Sequence, residues 1–523
     1  MQHKYTFLLI AACLAATITF AQPGTLDNSF AGNGLLRTLL GTTCSAAGVK
    51  TQSDGKIVVA GSYTTAQSRA NLLVERYNTD GSFDNSFAGG DGEQGVDLGG
   101  NAEADAVAIQ SDGKIVAAGS VTSSDNSTRF AAVRLNANGT MDNSFGTGGK
   151  IVIQNLLADD KICVALQSDG KILLAGPTWN SNGTSLTIVR LKSNGSLDPT
   201  FGTNGIQTIT VTPNCYTINV SMLVQPDGKI DLCCTLYFAS AQNDHSQAAI
   251  VRVNANGTPD PGFGTNGVVL QAIGGVPYTG ATSIALQTDN KIVAGGSYGN
   301  SNAGKFLVMR FNTSGTPDNS FAGNGRAGIS FAHPAGVTGL AIESSGTIIA
   351  CGRTWSSTDG DFAMVRLLTD GTPDANFGND GNGKVTTGFG YYDEANAVAL
   401  EPNGKIVVAG LSGNDIALAR YLVAVKTPTN RSMPTATAVD SLQGRRSLAI
   451  YPNPAGSFLV LDGLDPKVMT QYNITDVSGK TVHSSSVTFS ASTQINTGNL
   501  LPGTYFIRVS ANGKVHTLQF VKR

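Results

Sequence analysis

The chain repeats one unit seven times, and this constrains its fold more than any other feature. Three markers each recur seven times at intervals of 54 to 62 residues. An Asp-x-x-Phe signature begins at Asp27, Asp84, Asp142, Asp198, Asp260, Asp318 and Asp374. A turn signature, QSDGKIVVAG in the first copy, recurs at Asp54, Asp112, Asp169, Asp227, Asp289, Ser345 and Asn403. An apolar run ends at Arg76, Arg134, Arg190, Arg252, Arg310, Arg366 and Arg420. A fixed period of this length is typical of repeat architectures.

Each unit predicts four short strands. In the second unit, the apolar runs that predict them are 106–109, 115–118, 130–135 and 150–154. Residues 111–114 form a predicted hairpin turn, and a Gly- and Asn-rich connection precedes the fourth strand. The repeats contain no sustained helical periodicity. A four-stranded antiparallel sheet repeated seven times predicts an all-β fold, a seven-bladed β-propeller.

The two ends of the repeat region predict how the ring closes. In six units, Arg is followed eight residues later by the Asp of the next signature, as in Arg76 and Asp84. Arg420 has no such Asp after it, and Asp27 has no Arg before it. We therefore expect a strand near 35–40 to be the fourth strand of the last blade, which removes the free sheet edges. The alternative is an open array, which needs capping units.

The units resemble the delta-60 repeat family, found in tandem in exported bacterial proteins. The resemblance covers roughly residues 24 to 425 and depends on the QxDGKIVVAG and NxxGxxDxxF segments. Two units depart from it: Asn290 replaces the turn Gly in the fifth, and Ser345-Gly-Thr replaces Asp-Gly-Lys in the sixth. The resemblance implies a propeller-like fold and export, and it implies no established activity.

The N-terminus predicts export. Lys4 precedes an apolar run from 7 to 20, and Thr19-Phe20-Ala21 forms a small-x-Ala cleavage site, so residues 1–21 are a predicted signal peptide. A lipoprotein box ending at Cys13 is the competing interpretation. The run is too short for a membrane anchor, and we predict no transmembrane segment.

The C-terminus predicts a separate module. Residues 426–446 are rich in Pro, Thr and Ser and form a predicted linker between the repeats (22–425) and a strand-rich module (447–523). Its motifs are Tyr451-Pro-Asn-Pro454, Asp476-Val-Ser-Gly-Lys480, a segment from Leu501 to Arg508, and the terminal Lys522-Arg523. They resemble the type A sorting domain of the type IX secretion system of Bacteroidota. The resemblance implies a small β-sandwich and the secretion machinery as partner. The alternative is a sandwich that stays attached and binds something.

The composition argues against several function classes. The net charge is −2 and only 14% of residues are charged, without a basic stripe, so we predict no nucleic-acid partner. The repeats contain two histidines, His245 and His333, in different units, and lack the GxSxG, HExxH and P-loop motifs. We therefore predict no catalytic residue, no metal site and no cofactor.

Residues that recur in every unit are predicted to be structural. The paired Arg and Asp should fix the long connection between the third and fourth strands, and the Asp of Asp-Gly-Lys should cap its turn. Cys163, Cys233 and Cys351 fall where other units have Ala, so we expect them to be small buried residues.

Function is expected where the units differ. The turns just described open on one side of the ring, the repeated face. The loops before the first strand and after the second strand open on the other side of the ring, which we call the variable face. Besides the candidates that follow, this face carries the carboxylates of Asp393 and Glu394. The candidate ligand-binding residues there are Trp179, Trp355, Tyr216, Tyr278, Tyr391, Tyr392, Asp159, Asp160, Asp359 and Asp361. Exposed aromatics beside carboxylates suit sugar stacking or peptide contact.

Three hypotheses follow. The leading one is a non-catalytic binding or adhesion module with a glycan or protein ligand on the variable face. The second is a secreted polysaccharide hydrolase or lyase, which needs two carboxylates roughly 5 to 10 Å apart in one pocket. The third is a passive component of the cell surface. The structural alternative for the two Trp residues is that they only cover the ends of their blades.

Overall fold

A computed structural model describes residues 22–423 except 160, 181–182, 241–243, 301–302 and 357–358. Beyond these, it describes 449–451, 458–462, 469–476, 481–488, 492–498, 500–501, 503–511 and 514–522. The predicted signal peptide, the predicted linker and Asp160 lie outside the described residues, as do 452–454, 477–480, 502 and 523 of the C-terminal motifs. The chain divides into two compact units, Met1–Thr427 and Pro428–Arg523. None of the described residues belongs to a helix long and apolar enough to cross a membrane.

The first unit contains seven four-stranded antiparallel sheets, which confirms the predicted seven blades. The innermost strands are β2 Thr43–Thr51, β6 Asn101–Ile109, β10 Cys163–Leu166, β14 Tyr216–Val224, β18 Tyr278–Leu286, β22 Ala335–Ile342 and β26 Asp393–Leu400. The second strands are β3 Ile57–Thr64, β7 Ile115–Thr122, β11 Ile172–Asn180, β15 Ile230–Phe238, β19 Ile292–Gly299, β23 Ile348–Trp355 and β27 Ile406–Ser412. The third strands are β4 Ala70–Tyr77, β8 Thr128–Leu135, β12 Gly183–Leu191, β16 His245–Val253, β20 Lys305–Phe311, β24 Gly360–Leu367 and β28 Asp415–Tyr421. The outer strands are β1 Leu35–Thr38, β5 Glu93–Val96, β9 Lys150–Leu157, β13 Ile206–Ile209, β17 Val268–Gln271, β21 Arg326–Ile329 and β25 Lys384–Thr387.

The ring closes as the sequence predicts. Strand β1 is the outer strand of the seventh blade and pairs with β28, with Leu35 opposite Ala419. Arg420 Nε lies 2.8 Å from Asp27 Oδ2, so the two unmatched signatures complete each other. The innermost strands contact one another around the ring, and β26 contacts β2. The closed ring therefore leaves no unit without a neighbour.

The core fills the space between blades. The second strands are the most buried, and in the first blade Ile57, Val58, Val59 and Ala60 are almost fully enclosed. Strands that are apolar on both faces suit this position, since each blade is packed between two others. Cys233 and Cys351 are buried as predicted, whereas Cys163 is only half-buried, and all six cysteines of the described residues are free thiols.

The turn of the repeated face is held by its Asp. In the first unit, the Lys56 amide donates to Asp54 Oδ1 at 3.1 Å, and Gly55 has a φ of 85°. Asn290, which replaces this Gly in the fifth unit, has a φ of 62°. Asn tolerates this left-handed conformation better than most residues, so the substitution preserves the turn. The predicted capping role is confirmed.

The conserved spacing of Arg and Asp produces buried ion pairs. Arg76 Nε lies 2.7 Å from Asp84 Oδ2, and Arg76 Nη1 donates to the carbonyl oxygen of Ala137 in the next blade at 2.6 Å. The guanidinium also lies over the Phe87 ring at 4.5 Å. Burial alone raises the pKa of Asp84, but Lys56, the Ser86 hydroxyl and Arg76 together hold it well below its usual range. The Arg76 pair therefore fixes its own connection and joins two blades, and Arg134, Arg190, Arg310 and Arg420 donate to the next blade in the same way.

One predicted pair is wrong. Arg252 lies against Asp231, with Nε 2.6 Å from Oδ1, instead of Asp260. Asp231 occupies the second position of β15, where the first unit has Val58, and is fully buried. Asp260 pairs with Lys229 at 2.9 Å. The other six pairs form as predicted.

The second unit is a small β-sandwich. One sheet contains β29 Ala449–Tyr451, β30 Phe458–Asp462 and β33 Ser492–Asn496. The other contains β31 Met469–Asp476, β32 Thr481–Thr488, β34 Gly503–Ala511 and β35 Lys514–Lys522. Leu459 and Leu461 of the first sheet pack with Ile474, Ile507 and Phe520 of the second in one core. The alternation of buried and outward residues along these strands explains the packing of two sheets face to face.

Candidate binding face

The variable face is built at the ends of the second strands. Trp179 and Trp355 are the eighth residues of β11 and β23, counted from Ile172 and Ile348. We predicted both in loops, but the strands run further and each Trp pairs across to the third strand, Trp179 with Thr184 and Trp355 with Gly360. Both rings are therefore fixed by a sheet.

Aromatic residues lie at the variable-face strand ends of blades three, four and five. Trp179 is 50% exposed and lies edge-on to Tyr216, with ring centroids 6.0 Å apart. Tyr216 pairs with Tyr237, which occupies the Trp position in the fourth blade. The Tyr237 hydroxyl donates to Asp244 at 2.8 Å, which raises the pKa of Tyr237, and Tyr278 of the next blade adds to this shift. We call Trp179, Tyr216, Tyr237 and Tyr278 the aromatic row.

The two Asp candidates of the third blade lie near the start of this row. Asp159 is half-buried, and its amide donates to the carbonyl oxygen of Pro177 at 3.2 Å. It therefore lies beside the strand that carries Trp179. Asp160 is outside the described residues, and nothing places its carboxylate.

The remaining candidates belong to blades six and seven. The Trp355 ring covers Gly304 and Gly336, with ring atoms 3.1 and 3.6 Å from the position of a Cβ on each. Tyr392 lies against Gly360 in the same way, at 3.0 Å. Its neighbour Tyr391 is 54% exposed and lies under the Arg37 guanidinium at 4.1 Å. The Trp355 contacts agree with its structural interpretation, while Tyr391 and Tyr392 remain open to solvent.

Three carboxylates lie in this second area, and we call Asp359, Asp361 and Asp393 the acid cluster. A Cβ on Gly388 would lie 2.7 Å from Asp361 Oδ1 and 3.9 Å from Asp393 Oδ2. The two carboxylates therefore flank a single glycine. Asp359 is exposed, Asp361 is half-buried, and Asp393 is completely buried.

The pKa values of Asp361 and Asp393 are shifted upward. Burial raises the pKa of Asp361, and the neighbouring charges of Asp359 and Asp393 raise it further against His333. Burial and Asp359 likewise raise the pKa of Asp393, against the hydrogen bond that the Phe389 amide donates to Oδ2 at 2.6 Å, the Ser412 hydroxyl and the charge of Arg37. Carboxylates close to like charges hold their protons more tightly.

Asp393 differs from the other buried aspartates. Eight others are buried among the described residues, and each lies within 4.0 Å of an Arg or Lys: Asp27, Asp84, Asp142, Asp198, Asp231, Asp260, Asp318 and Asp374. Within the described part of the chain, Asp393 has no such cation, and the buried Ser412 hydroxyl opposite it on β27 acts to lower its pKa. Asp393 is predicted to lie on the variable face, but it is not among the candidate ligand-binding residues. Tyr237 and Gly388 are not predicted either. Tyr237 is recognised only when the second strands of the seven blades are aligned residue by residue.

Two other features of the described residues bear on chemistry. A hollow of about 830 Å³ opens on the repeated face and is lined by turn residues such as Gln110, Asp169, Lys171 and Gln225. These residue positions recur in every blade, so the hollow follows from the architecture. The described residues contain no group of three or more His, Cys, Asp or Glu arranged to hold a metal ion.

Similarity to solved structures is weak. Semaphorin 2a of Drosophila is 8% identical, with 97% of this chain and 99% of that chain covered and a TM-score of 0.46. An α-L-arabinofuranosidase from Fusarium graminearum is 9% identical, with 77% and 97% covered and a TM-score of 0.37. An endo-arabinase from Bacteroides thetaiotaomicron is 10% identical, with 61% and 93% covered and a TM-score of 0.31. Values this low carry no argument about this chain. A comparison with curated proteins found no match.

Family models match both parts of the chain. A beta-propeller family described as a domain of unknown function (DUF5122) matches 52–87, 110–145, 167–201, 225–263, 287–321, 343–377 and 401–422. A secretion system C-terminal sorting domain matches 449–523. This domain directs export by type IX secretion, which confirms the predicted destination at the cell surface or outside the cell. The chain belongs to the DUF5122 beta-propeller family, and it ends in a secretion system C-terminal sorting domain.

Proposed function

We propose that this exported propeller is a binding module that attaches to a glycan through its variable face. The aromatic row is the observation that carries the proposal. Its four side chains lie at matching strand ends of three neighbouring blades, and Trp179 is half exposed although it is a large apolar residue. Rings held by strands bind with little loss of conformational entropy, and their flat faces suit sugar rings.

An aromatic residue at this strand end is confined to some blades, which supports a binding role over a structural one. At the eighth position of the second strand, blades three, four and six have Trp179, Tyr237 and Trp355, whereas blades one, two, five and seven have Thr64, Thr122, Gly299 and Gly413. The fold is therefore built equally well without an aromatic residue there. Loops and strand ends on a rigid scaffold are common places for binding sites.

The experiment is a glycan and polysaccharide binding screen of the full-length chain. We expect Trp179→Ala to abolish binding to the glycan that the unmodified chain selects. Trp355→Ala is the matched control, because this second Trp lies at the same strand position but covers glycines of its own blade and the one before. Equal losses in both variants would contradict the assignment to the row, and no binding to any glycan would contradict the proposal itself.

A polysaccharide hydrolase is the second candidate, and the raised pKa of Asp361 is the observation in its favour. A general acid must hold its proton near neutral pH, and burial and the neighbouring carboxylates shift the pKa of Asp361 in that direction. Asp393 is fully buried and cannot itself touch a sugar, so Asp359 would have to be the second carboxylate. Release of new reducing ends by the unmodified chain, lost in Asp361→Asn, would favour this candidate over simple binding.

A further inference from the structure

We propose that Asp244 determines the ligand specificity of the aromatic row, so that the row binds a neutral, hydroxyl-rich glycan and excludes acidic polysaccharides such as polymers of uronic acids. This inference rests on the proposed function, because it names the ligand class of the same site. The rings provide the stacking surface, and one exposed carboxylate beside them selects the sugar by its charge.

Asp244 lies in direct contact with the row. Its Oδ2 accepts a hydrogen bond from the Tyr237 hydroxyl at 2.8 Å. Tyr237 in turn pairs with Tyr216, and Tyr216 lies beside Trp179, with ring centroids 6.0 Å apart. The carboxylate is therefore held at the tip of an inner ring of the row. A sugar ring that covers Tyr237 brings its own hydroxyl groups beside this carboxylate.

The Asp244 carboxylate is fixed in position and still open to solvent. The residue is exposed, and the Ser240 amide donates a second hydrogen bond, to Oδ1, at 2.7 Å. A carboxylate has about four lone-pair sites on its two oxygens, and these two bonds use one site on each oxygen. Each oxygen can therefore accept a further bond from a sugar hydroxyl. Bonds to an ionised acceptor are stronger than neutral ones, and a side chain already held in place loses little freedom on binding.

The charge of Asp244 is also maintained by its surroundings. The Ser240 amide and the Tyr237 hydroxyl lower the pKa of Asp244, desolvation opposes them, and the charge of His245 lowers it further. The carboxylate is therefore ionised at neutral pH. A hydroxyl group of a stacked sugar donates to this charge, whereas a carboxylate on the same sugar meets a like charge, which weakens binding.

Blade two shows what an aspartate does in this hairpin when it has only a structural role. Asp125 accepts a hydrogen bond from the Ser127 amide at 3.0 Å, and its Oδ2 lies 3.3 Å from Arg129 Nη2. It caps the turn, and a cation of its own blade compensates its charge. In blade four, Asp244 also accepts a bond from a backbone amide of its hairpin, but its second partner is a ring of the row. Turn formation alone does not require this second contact.

The test compares neutral sugars with their acidic counterparts. Hexasaccharides of β-1,4-linked glucose, mannose and galactose are each measured beside the same compound with its primary alcohols oxidised to carboxylates. Calorimetry on the full-length chain is run in about 0.15 M salt, where charges further apart than about 8 Å are screened. We expect at least one neutral sugar to bind, and its oxidised counterpart to bind at least about tenfold more weakly.

Two variants assign this preference to a residue. Asp244→Asn keeps the size of the side chain and removes its charge, so the affinities for the neutral and the oxidised sugar should become equal. Asp125→Asn is the matched control, because it removes an exposed carboxylate from the same hairpin of blade two, and it should leave the preference intact. Complete loss of binding in Asp244→Asn, with unchanged unfolding in urea, would also support the contact.

The other outcomes overturn the assignment. If the unmodified chain binds an oxidised sugar as tightly as the neutral one, the ligand is not selected by charge; loss of this binding in Trp179→Ala would leave the proposed glycan binding standing. A preference that survives Asp244→Asn belongs to another group. Binding of no sugar in this series also overturns the assignment, and the wider glycan screen then decides the proposed function.

Discussion

On the repeated face, every buried Asp lies against an Arg or Lys side chain, whereas the variable face buries Asp393 without such a partner among the described residues. The same residue type therefore has two roles in one ring. Paired, it joins a connection to its blade and, through the arginine, to the next blade. Without a cation, it is expected to weaken the fold locally. The aspartates that stabilise the ring and the residues proposed to bind a ligand thus lie at opposite ends of the same strands.

The largest expected effect comes from breaking a pair on the repeated face. Arg134→Leu removes the 2.7 Å contact to Asp142 and the hydrogen bond to the Ser193 carbonyl oxygen in the next blade. Asp142 then keeps only Lys114 as a cation, whose Nζ lies 3.0 Å from Oδ2. The free energy of unfolding should fall by about 3 kcal/mol, the lower end of the range for a broken buried pair. Urea unfolding measures this value.

Arg69→Leu is the control for this change. Its pair with Asp97 is shorter, at 2.6 Å, but both side chains are well exposed on the variable face. Exposed pairs contribute about 0–1 kcal/mol, so this variant should be close to the unmodified chain. Similar losses in Arg134→Leu and Arg69→Leu would remove the distinction between the two faces.

The second effect concerns a buried carboxylate at the ring closure. Glu75 is fully buried on β4, where the other blades have Val133, Val189, Val251, Met309, Val365 and Ala419. Burial raises the pKa of Glu75 to about 7, Glu93 adds to the shift, and the 2.5 Å hydrogen bond from the Tyr77 hydroxyl opposes it. The same hydroxyl lies 3.2 Å from Thr38 Oγ1 on the closing strand β1.

The sign of the pH effect follows from this raised pKa. The folded chain keeps the Glu75 proton until about pH 7, while the unfolded chain loses it near the ordinary value of 4.5. The stabilisation is complete below pH 4.5 and is lost as the pH rises to about 7, by about 3 kcal/mol in total. Glu75→Gln should flatten this part of the profile of unfolding free energy against pH. An unchanged slope in the variant would show that Glu75 ionises normally in the folded chain.

The third effect compares two glycines with the same backbone strain. Gly139 has a φ of 86° on the repeated face, and a Cβ there would lie 2.6 Å from both the Ala88 amide nitrogen and the Phe87 ring. Gly99 has a φ of 89° on the variable face with nothing within 4 Å. Gly139→Ala should therefore cost about 1–2 kcal/mol more than Gly99→Ala in thermal or urea unfolding. Equal losses of unfolding free energy in the two variants would mean that backbone strain alone accounts for both, without a contribution from the close contacts of Gly139.

The sequence was sufficient to predict the seven-bladed ring because the same strand and turn pattern occurs in seven copies. The spacing of Arg and Asp predicted five of the seven pairs, and the two unmatched signatures predicted a sixth, the closure of Arg420 with Asp27. It failed at Arg252, since Asp231 interrupts the apolar second strand of a single unit and offers a nearer carboxylate. The Asp at this position is visible in the sequence. Whether it replaces Asp260 as the partner of Arg252 depends on the positions of the side chains in the folded blade.

The sequence was sufficient to locate the variable face, but it did not distinguish the aromatic row from the residues of blades six and seven. Trp179 and Trp355 share a strand position, yet one borders an aromatic row and the other covers glycines. This difference depends on the neighbouring blade, which no single unit encodes. The acid cluster likewise combines residues from two blades, and no motif identifies Asp393, the buried carboxylate without an Arg or Lys partner among the described residues.

The smallest expected effect is a gain in the free energy of unfolding, and it compares a buried aspartate of the variable face with one of the repeated face. Asp393→Asn keeps an oxygen to accept the hydrogen bond from the Phe389 amide and removes the buried charge. The free energy of unfolding should rise by about 1 kcal/mol at neutral pH. At pH 3 the gain should vanish, because the carboxyl of Asp393, whose pKa is raised in the folded chain, is then protonated. Asp142→Asn, the same change in a paired aspartate, should instead destabilise the chain at neutral pH. If Asp393→Asn also destabilises it, the carboxylate has a structural partner, and the variable face is built by the same rule as the repeated one.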